Sequence, residues 1–271
     1  MHKKNDNLIA RKGLEISIII PVRNEEKLIG ILLDKLSEVI DKKSEIIVVD
    51  DHSVDESSGI VRRYRSKIAN LKLVSNNEGI GFADALRKGF KEASGKIIIP
   101  VMADCSDEIT LIPVLCRRIQ EGYDVVCASR YIHGGKKTGG ALFKHILSWT
   151  FCFLMNHLGK VPVCDVSNSF KAYRRKVLEE IKLESRGFDI STEIVIKAFL
   201  RGYKITEIPT IWHGRDKGKS KFSFLKEAKG YIKWLSLMIC HSMKKALKSD
   251  IRFSENTKNS SQSCKYTFPD L

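Results

Sequence analysis

The sequence predicts an α/β protein built on an open, doubly wound, mostly parallel sheet with helices on both faces. Three observations lead there. Five short runs, ISIIIPV (16–22), EIIVVDD (45–51), LKLVS (71–75), KIIIPVM (96–102) and YDVVCAS (123–129), are rich in β-branched and other apolar residues. Continuous rather than alternating apolarity marks a strand covered on both faces, as in a parallel sheet. Between the runs, segments 25–40, 57–69, 82–93 and 110–122 carry apolar residues at helical spacing. Such alternation with short turns builds right-handed crossovers. Finally, polar clusters follow the apolar runs, and ligands of open α/β sheets sit beyond the carboxyl ends of the strands. The clusters are therefore expected on one rim.

Each cluster has a bland reading and a chemical one. After the first run comes PVRNEE (21–26), where Pro21 ends the strand and Asn24 and Glu25 can cap the next helix. After the second comes VVDDHSVDE (48–56). Helix capping accounts for Ser53 and Asp55 but not for the adjacent carboxylates Asp50 and Asp51, which can hydrogen-bond a base or ribose. The third cluster, NNEGIGFADALRKG (76–89), opens a helix. Gly79 and Gly81 permit close backbone approach there, and a helix start favours an anion. A dinucleotide fingerprint would follow the first strand and carry a later third glycine, so that reading fails. The fourth, VMADCSDE (101–108), offers Asp104 as a hard oxygen ligand for Mg²⁺ or Mn²⁺, with Ser106 and Asp107 beside it. A metal there would offset the charge of a leaving diphosphate; the alternative is an acidic turn capping the next helix.

Composition sets the outer bounds. The 271 residues are 43% hydrophobic, enough for a sizeable core, which excludes global disorder. A formal net charge of +15 suits a polyanion: nucleic acid, a nucleoside diphosphate or an anionic membrane leaflet. Seven scattered cysteines with no C-x-x-C pair suit reduced, mostly buried thiols rather than a disulfide framework or zinc site. The basic, polar start has no apolar core of a secretory leader, and no uninterrupted apolar stretch of spanning length occurs, so a cytoplasmic protein is expected.

The second half is less regular. A Gly-rich basic loop precedes ALFKHILSWTFCFLMNHLG (141–159), which Lys144, His145, Asn156 and His157 interrupt, as in an interfacial or buried helix. A strand and helices are expected over 168–201, a strand over 204–212, and an amphipathic helix with basic flanks over 223–248. The polar residues 249–271 read as a disordered tail, and 1–14 as a polar arm preceding a domain at 15–222.

Taken in order, P-x-x-N-E, VVDDxSxD, NxGxGxAxxxG, the acidic loop and ASR (128–130) resemble the family 2 glycosyltransferases, closest to the polyprenol-phosphate (dolichol-phosphate-type) sugar transferases. CDVSNSFKAYRRKVL (164–178), FDISTEI (188–194) and RDKGKSKF (215–222) continue the match, which covers residues 16–222. The resemblance implies a GT-A-like fold and inverting transfer of a sugar from UDP- or GDP-sugar with a divalent metal, Mg²⁺ or Mn²⁺.

By the same resemblance, Pro21, Arg23 and Glu25 would line the nucleotide pocket, Asp51 would bond the base with Asp50 in support, and Asp104 would hold the metal, assisted by Ser106. The family's D-x-D loop reads Met102-Ala103-Asp104 here, so its first carboxylate is missing and Asp107 is the candidate to compensate. Arg130, Lys144, Arg215, Lys219 and Lys221 form a basic set for phosphate oxygens. Asp165 would orient the acceptor or act as base, and Glu193 would position the acceptor. Asn168 stands where the family carries Gly. The acceptor is a polyprenyl phosphate or, alternatively, a hydroxyl. The apolar helices 141–159 and 223–248 suit docking on the cytoplasmic face of an anionic membrane, core packing or a homo-oligomer contact. A non-catalytic nucleotide- or nucleic-acid-binding protein is the reading from another class. It has the charge but no aromatic platform for bases, so no nucleic-acid partner is expected.

Overall fold

The computed structural model describes residues 16–41, 44–214 and 224–260. The arm 1–14 and the candidate phosphate ligands Arg215, Lys219 and Lys221 lie outside the described residues, as does the tail beyond 260.

The five apolar runs form β1 (Ile16–Val22), β2 (Glu45–Asp50), β3 (Leu71–Ser75), β4 (Ile97–Pro100) and β5 (Val125–Ser129). Helices α1 (Ile29–Val39), α2 (Ser57–Tyr64), α3 (Phe82–Glu92) and α4 (Ile112–Gln120) connect them. The unbroken apolarity of the strands has a direct cause. Ile18, Ile20, Ile46 and Val48 point into one core with α1 and α4, while Ile19, Ile47 and Val49 point into a second with α3. Successive side chains alternate between faces, and both faces are covered.

The sheet has seven strands in the order β3-β2-β1-β4-β7-β5-β8, with β8 (Ile205–Pro209) parallel to β5. One strand departs from the parallel scheme. β7 (Lys171–Arg174) inserts between β4 and β5 and runs antiparallel to both. Its reversed direction places its amino end at the rim where β1, β2, β4 and β5 have their carboxyl ends. Segment 164–170 is thereby delivered to that rim.

The strand expected over 204–212 is two strands. Thr210 donates its N–H to Ser129 O and accepts from Lys136 N, handing the chain from the main sheet to a two-stranded ribbon. In that ribbon β9 (Ile211–His213) runs parallel to β6 (Lys136–Thr138), a strand in the Gly-rich loop that the sequence did not announce. The start of α1 is also later than expected. Asn24 sits at φ +53° and bonds across to the loop after β2 instead of capping its own helix.

The remaining helices are α5 (Leu142–His157), α6 (Arg175–Glu180), α7 (Ile190–Leu200) and α8 (Phe224–Ser260). α8 continues past 248 through residues expected to be disordered. Its Trp234 and Met238, one turn apart, are fully buried, and its Ser242 donates to Gly159 O at 3.0 Å at the end of α5. A side chain at Gly159 would meet Met238, so the glycine allows the close approach. α5 leaves Leu142, Phe143, Ile146, Trp149 and Phe153 exposed. Among the described residues, no helix is long and apolar enough to cross a membrane.

Candidate active site

The loops after β1 and β2 are latched together. Asn24 N donates to Ser53 Oγ at 3.0 Å, Val54 N to Asn24 Oδ1 at 2.8 Å and Glu25 N to Ser57 Oγ at 2.8 Å. Asp50 accepts from Ser53 N at 3.0 Å and Ser58 Oγ at 2.5 Å, so its carboxylate braces the loop. Asp51 is buried yet reaches the cavity wall. Its oxygens accept from Gly81 N at 3.0 Å and Asn76 Nδ2 at 2.8 Å, with Arg23 Nη1 at 3.7 Å.

This arrangement revises the expectation for the glycine pair. Gly81, at φ +116°, gives its N–H to Asp51, so that helix start already holds an anion, the protein's own carboxylate. Only glycine adopts that backbone without strain. At Gly79 a Cβ would collide with the Asp84 carboxylate.

The loop after β4 turns sharply at Cys105, φ +59°, which lets Ser106 N reach Asp104 Oδ1 at 3.2 Å. Asp104 and Ser106 line the cavity. Asp107 does not: it turns inward, accepts from Met102 N at 2.8 Å, and leaves Oδ1 buried with no hydrogen-bond partner. Burial pushes its carboxyl up to about 7. Asp107 therefore braces the loop and does not face the cavity as the missing carboxylate of D-x-D would. Among the described residues no three His, Cys, Asp or Glu side chains gather around a metal position. One carboxylate and one hydroxyl at the cavity wall still suit Mg²⁺ or Mn²⁺, because Mg²⁺ keeps several waters and takes few protein ligands.

Across the rim, Arg130 and Asp165 form a buried fork. Arg130 Nε lies 2.6 Å and Nη2 2.9 Å from the two Asp165 oxygens, and Arg130 N donates to Asp165 at 3.0 Å. Asn168 N adds a fourth donor at 3.1 Å. The adjacent guanidinium and these bonds hold the Asp165 carboxyl down to about 2 despite desolvation, which acts the other way. Arg130 lines the cavity, whereas Asp165 is wholly buried behind it. Asp165 thus orients Arg130, and a carboxylate held so low is a poor proton acceptor.

Asn168 explains its own departure from the family pattern. Its Nδ2 donates to Ala128 O at 2.9 Å, tying the loop to β5, a bond no glycine side chain could make. Glu193 is also buried behind the site. It accepts from Glu184 N at 2.7 Å, Ser185 N at 2.8 Å and Lys197 Nζ at 2.6 Å, and so fixes the loop that carries Arg186 and Phe188 into the cavity.

One cavity of about 1050 Å³ joins these parts. Pro21, Arg23, Glu25 and Asp51 line one end, Asp104 and Ser106 the middle, and Arg130, Lys144 and Ser148 the far side. The same lining takes in apolar side chains of α5 and α8, with Phe151, Leu154, Tyr231 and Leu235.

The model of glycosyl transferase family 2 matches residues 17–182, from β1 to just past α6. The chain belongs to this family. Among curated proteins, it is 29% identical to a dolichol-phosphate mannosyltransferase of Pyrococcus furiosus over 82% of its length and 64% of the relative's. It is 31% identical to an undecaprenyl-phosphate 4-deoxy-4-formamido-L-arabinose transferase of Pectobacterium atrosepticum over 78% of its length and 63% of that relative's. The chain therefore spans a little under two thirds of these relatives. Among solved structures, it is similar to glucosyl-3-phosphoglycerate synthase of Mycobacterium tuberculosis in complex with Mn²⁺, UDP and glucosyl-3-phosphoglycerate. The TM-score is 0.63 at 19% identity, covering 86% of this chain and 81% of the other. The same synthase with Mg²⁺ and UDP gives a TM-score of 0.64 at 19% identity, over 86% and 81%. The fold is GT-A-like.

Within this family 2 framework, several cavity residues had escaped the sequence reading. Lys137, Ser148, Ser167, Phe188 and Trp212 all line the cavity. Ser148 and Ser167 accept from Arg130 Nη2 at 3.4 and 2.9 Å, and Phe188 stacks on Phe82 with centroids 4.5 Å apart. Ser148 sits within an apolar helix, and Lys137 in a three-residue strand too short to show periodicity. FDISTEI flagged the region of Phe188, but nothing in it pointed to a stacking partner in α3.

Proposed function

We propose that this chain is an inverting glycosyltransferase that moves a sugar from a nucleoside-diphosphate sugar to a polyprenyl phosphate, with Mg²⁺ or Mn²⁺. The observation that carries the reading is that one cavity is lined by Asp51 and Asp104, by the Arg130 cluster and by apolar side chains of α5 and α8. A water-soluble donor needs the first part, and a lipid-linked anion needs the other two. The names of the two curated relatives, with their dolichol-phosphate and undecaprenyl-phosphate acceptors, support the same acceptor class.

In this reading Asp51, fixed by Gly81 and Asn76, accepts a hydrogen bond from the base, while Pro21, Arg23 and Glu25 form the rest of that end. Asp104 and Ser106 would hold the divalent ion, which offsets charge on the departing diphosphate. Arg130, pre-aimed by Asp165, and Lys144 hold the acceptor phosphate in line with the sugar carbon. A phosphate dianion is nucleophilic without a base. That suits a site whose acceptor-side carboxylate is buried, spent on Arg130 and held at about 2. A hydroxyl acceptor would need a base, so the geometry favours phosphate. Single displacement by the acceptor inverts the sugar carbon. Arg215, Lys219 and Lys221, outside the described residues, are proposed to bind phosphate oxygens.

The exposed apolar residues of α5 and the net charge of +15 support peripheral contact with an anionic leaflet. The test is incubation with a panel of UDP- and GDP-sugars, Mn²⁺ and a short polyprenyl phosphate, with chromatography of the lipid product. Nucleoside-diphosphate release that requires the lipid phosphate is expected. Equal release with the free polyprenol would transfer the proposal to hydroxyl acceptors, and no turnover of any donor would remove it.

A further inference from the structure

We infer, on the functional reading above, that Arg186 is a further ligand-binding residue of the cavity, its guanidinium held ready for a phosphoryl group of the donor diphosphate or of the lipid phosphate. Nothing in the sequence had marked it.

Residues 184–189 are fixed from α3, α7 and α8. On the α7 side, Glu193 accepts from Glu184 N at 2.7 Å and Ser185 N at 2.8 Å. Within the loop, Ser185 Oγ donates to Asp189 Oδ2 at 2.6 Å. From α3, Arg87 Nη2 donates to Ser185 O, and Phe82 stacks on Phe188. From α8, Trp234 Nε1 donates to Ser185 Oγ at 3.1 Å and Asp189 Oδ2 at 2.9 Å, while Glu227 Oε2 accepts from Phe188 N at 2.8 Å. Gly187 lies so close to Glu227 that a Cβ there would collide with the carboxylate. The backbone on both sides of Arg186 is thus set in advance, and a ligand need not order it.

The Arg186 side chain is exposed and lines the cavity. It makes no hydrogen bond or ion pair with a described residue. The carboxylates of this region are engaged elsewhere. Glu184 lies 3.8 Å from Lys197 Nζ and 3.4 Å from Lys233 Nζ, and Glu193 lies 2.6 Å from Lys197 Nζ. Asp189 serves Ser185 and Trp234, and Glu227 is turned to Phe188 N. An arginine that braced the fold would pair with one of them. A guanidinium left open to a cavity offers a planar fork of donors that matches two oxygens of a phosphoryl group. The loop touches α3, whose Phe82 follows the Gly81 that clamps Asp51, and α8, which supplies Tyr231 and Leu235 to the apolar lining. Donor diphosphate and lipid phosphate are accordingly the two sources of that group.

The experiment uses the full chain in calorimetric titrations with two probes, farnesyl phosphate alone and UDP or GDP with Mn²⁺. Arg186→Gln should bind at least one probe about tenfold more weakly, the scale of one charge-assisted hydrogen bond. It should keep the wild-type melting temperature, because no bond of the fold is lost. Arg186→Lys, which keeps the charge but not the fork, should recover only part of the affinity. Lys229→Gln is the control for long-range charge, since Lys229 is exposed on α8 and outside the cavity lining, and it should bind both probes as the wild type does. A loss confined to farnesyl phosphate places the guanidinium on the acceptor, and one confined to the nucleotide places it on the donor diphosphate. Unchanged affinity for both probes in Arg186→Gln, or an equal loss in Lys229→Gln, overturns the role of Arg186 alone. A wild type that binds the nucleotide but not farnesyl phosphate overturns the acceptor reading and leaves Arg186 to be judged on the nucleotide. A wild type that binds neither overturns the functional reading as well.

Discussion

The two sides of the rim are built by different means. On the β1–β2–β4 side, carboxylates are held by backbone N–H groups and short loop-to-loop bonds, and the chain supplies them in compact local segments. On the β5–β7 side, a single buried ion pair, Arg130–Asp165, organises side chains that are 35 residues apart in sequence. The first side resists damage because its bonds are many. The second depends on one pair whose separation leaves a charge stranded in the core.

Breaking that pair should therefore have the largest effect. Asp165→Ala is expected to cost roughly 3–5 kcal/mol of stability, as removal of one partner from a buried pair does, read from urea unfolding. The pH dependence follows from the same contact. Because the folded carboxyl is lowered from its ordinary 3.8 to about 2, its contribution is fully present above the ordinary value and is lost as pH falls through 2. Asp165→Asn should flatten that acid limb. A middle-sized effect is expected on the other side. Gly81→Ala places a side chain at φ +116° and should cost about 1–3 kcal/mol, with weaker nucleotide binding as Asp51 loses its clamp. The smallest test sharpens the contrast. Ser53→Ala removes one latch of several and should cost only about 0.5–1.5 kcal/mol. A loss as large as that of Asp165→Ala would mean that the two sides do not differ.

The same contrast explains what the sequence made legible. Strands β1 to β5 could be read because burial on both faces leaves an unbroken apolar signature, as at Ile18, Ile19 and Ile20. Asp51 and Asp104 could be placed because each follows its strand directly. The direction of β7 could not be read: Lys171–Arg174 has only four residues, and neither parallel nor antiparallel pairing leaves a mark at that length. Lys171 itself, wholly buried, donates to Val166 O at 3.1 Å, and a lysine inside a sheet is legible only once its carbonyl partners are known. The buried, engaged settings of Asp165 and Glu193 could not be read for a related reason. Sequence shows that a carboxylate is near a site, but not whether Arg130 or the N–H groups of residues 184 and 185 have already engaged it.

The functional reading depends most on Asp104 as the residue that would hold a divalent ion for a nucleoside diphosphate. The most direct measurement is the melting temperature of wild type and Asp104→Asn with UDP and with GDP, each with and without Mn²⁺, since a ligand of the native state raises it. A rise in the wild type that requires both nucleotide and Mn²⁺, and that is lost in Asp104→Asn, is the expected result. A rise that ignores the metal, or that survives intact in Asp104→Asn, would contradict the placement of the metal at this loop.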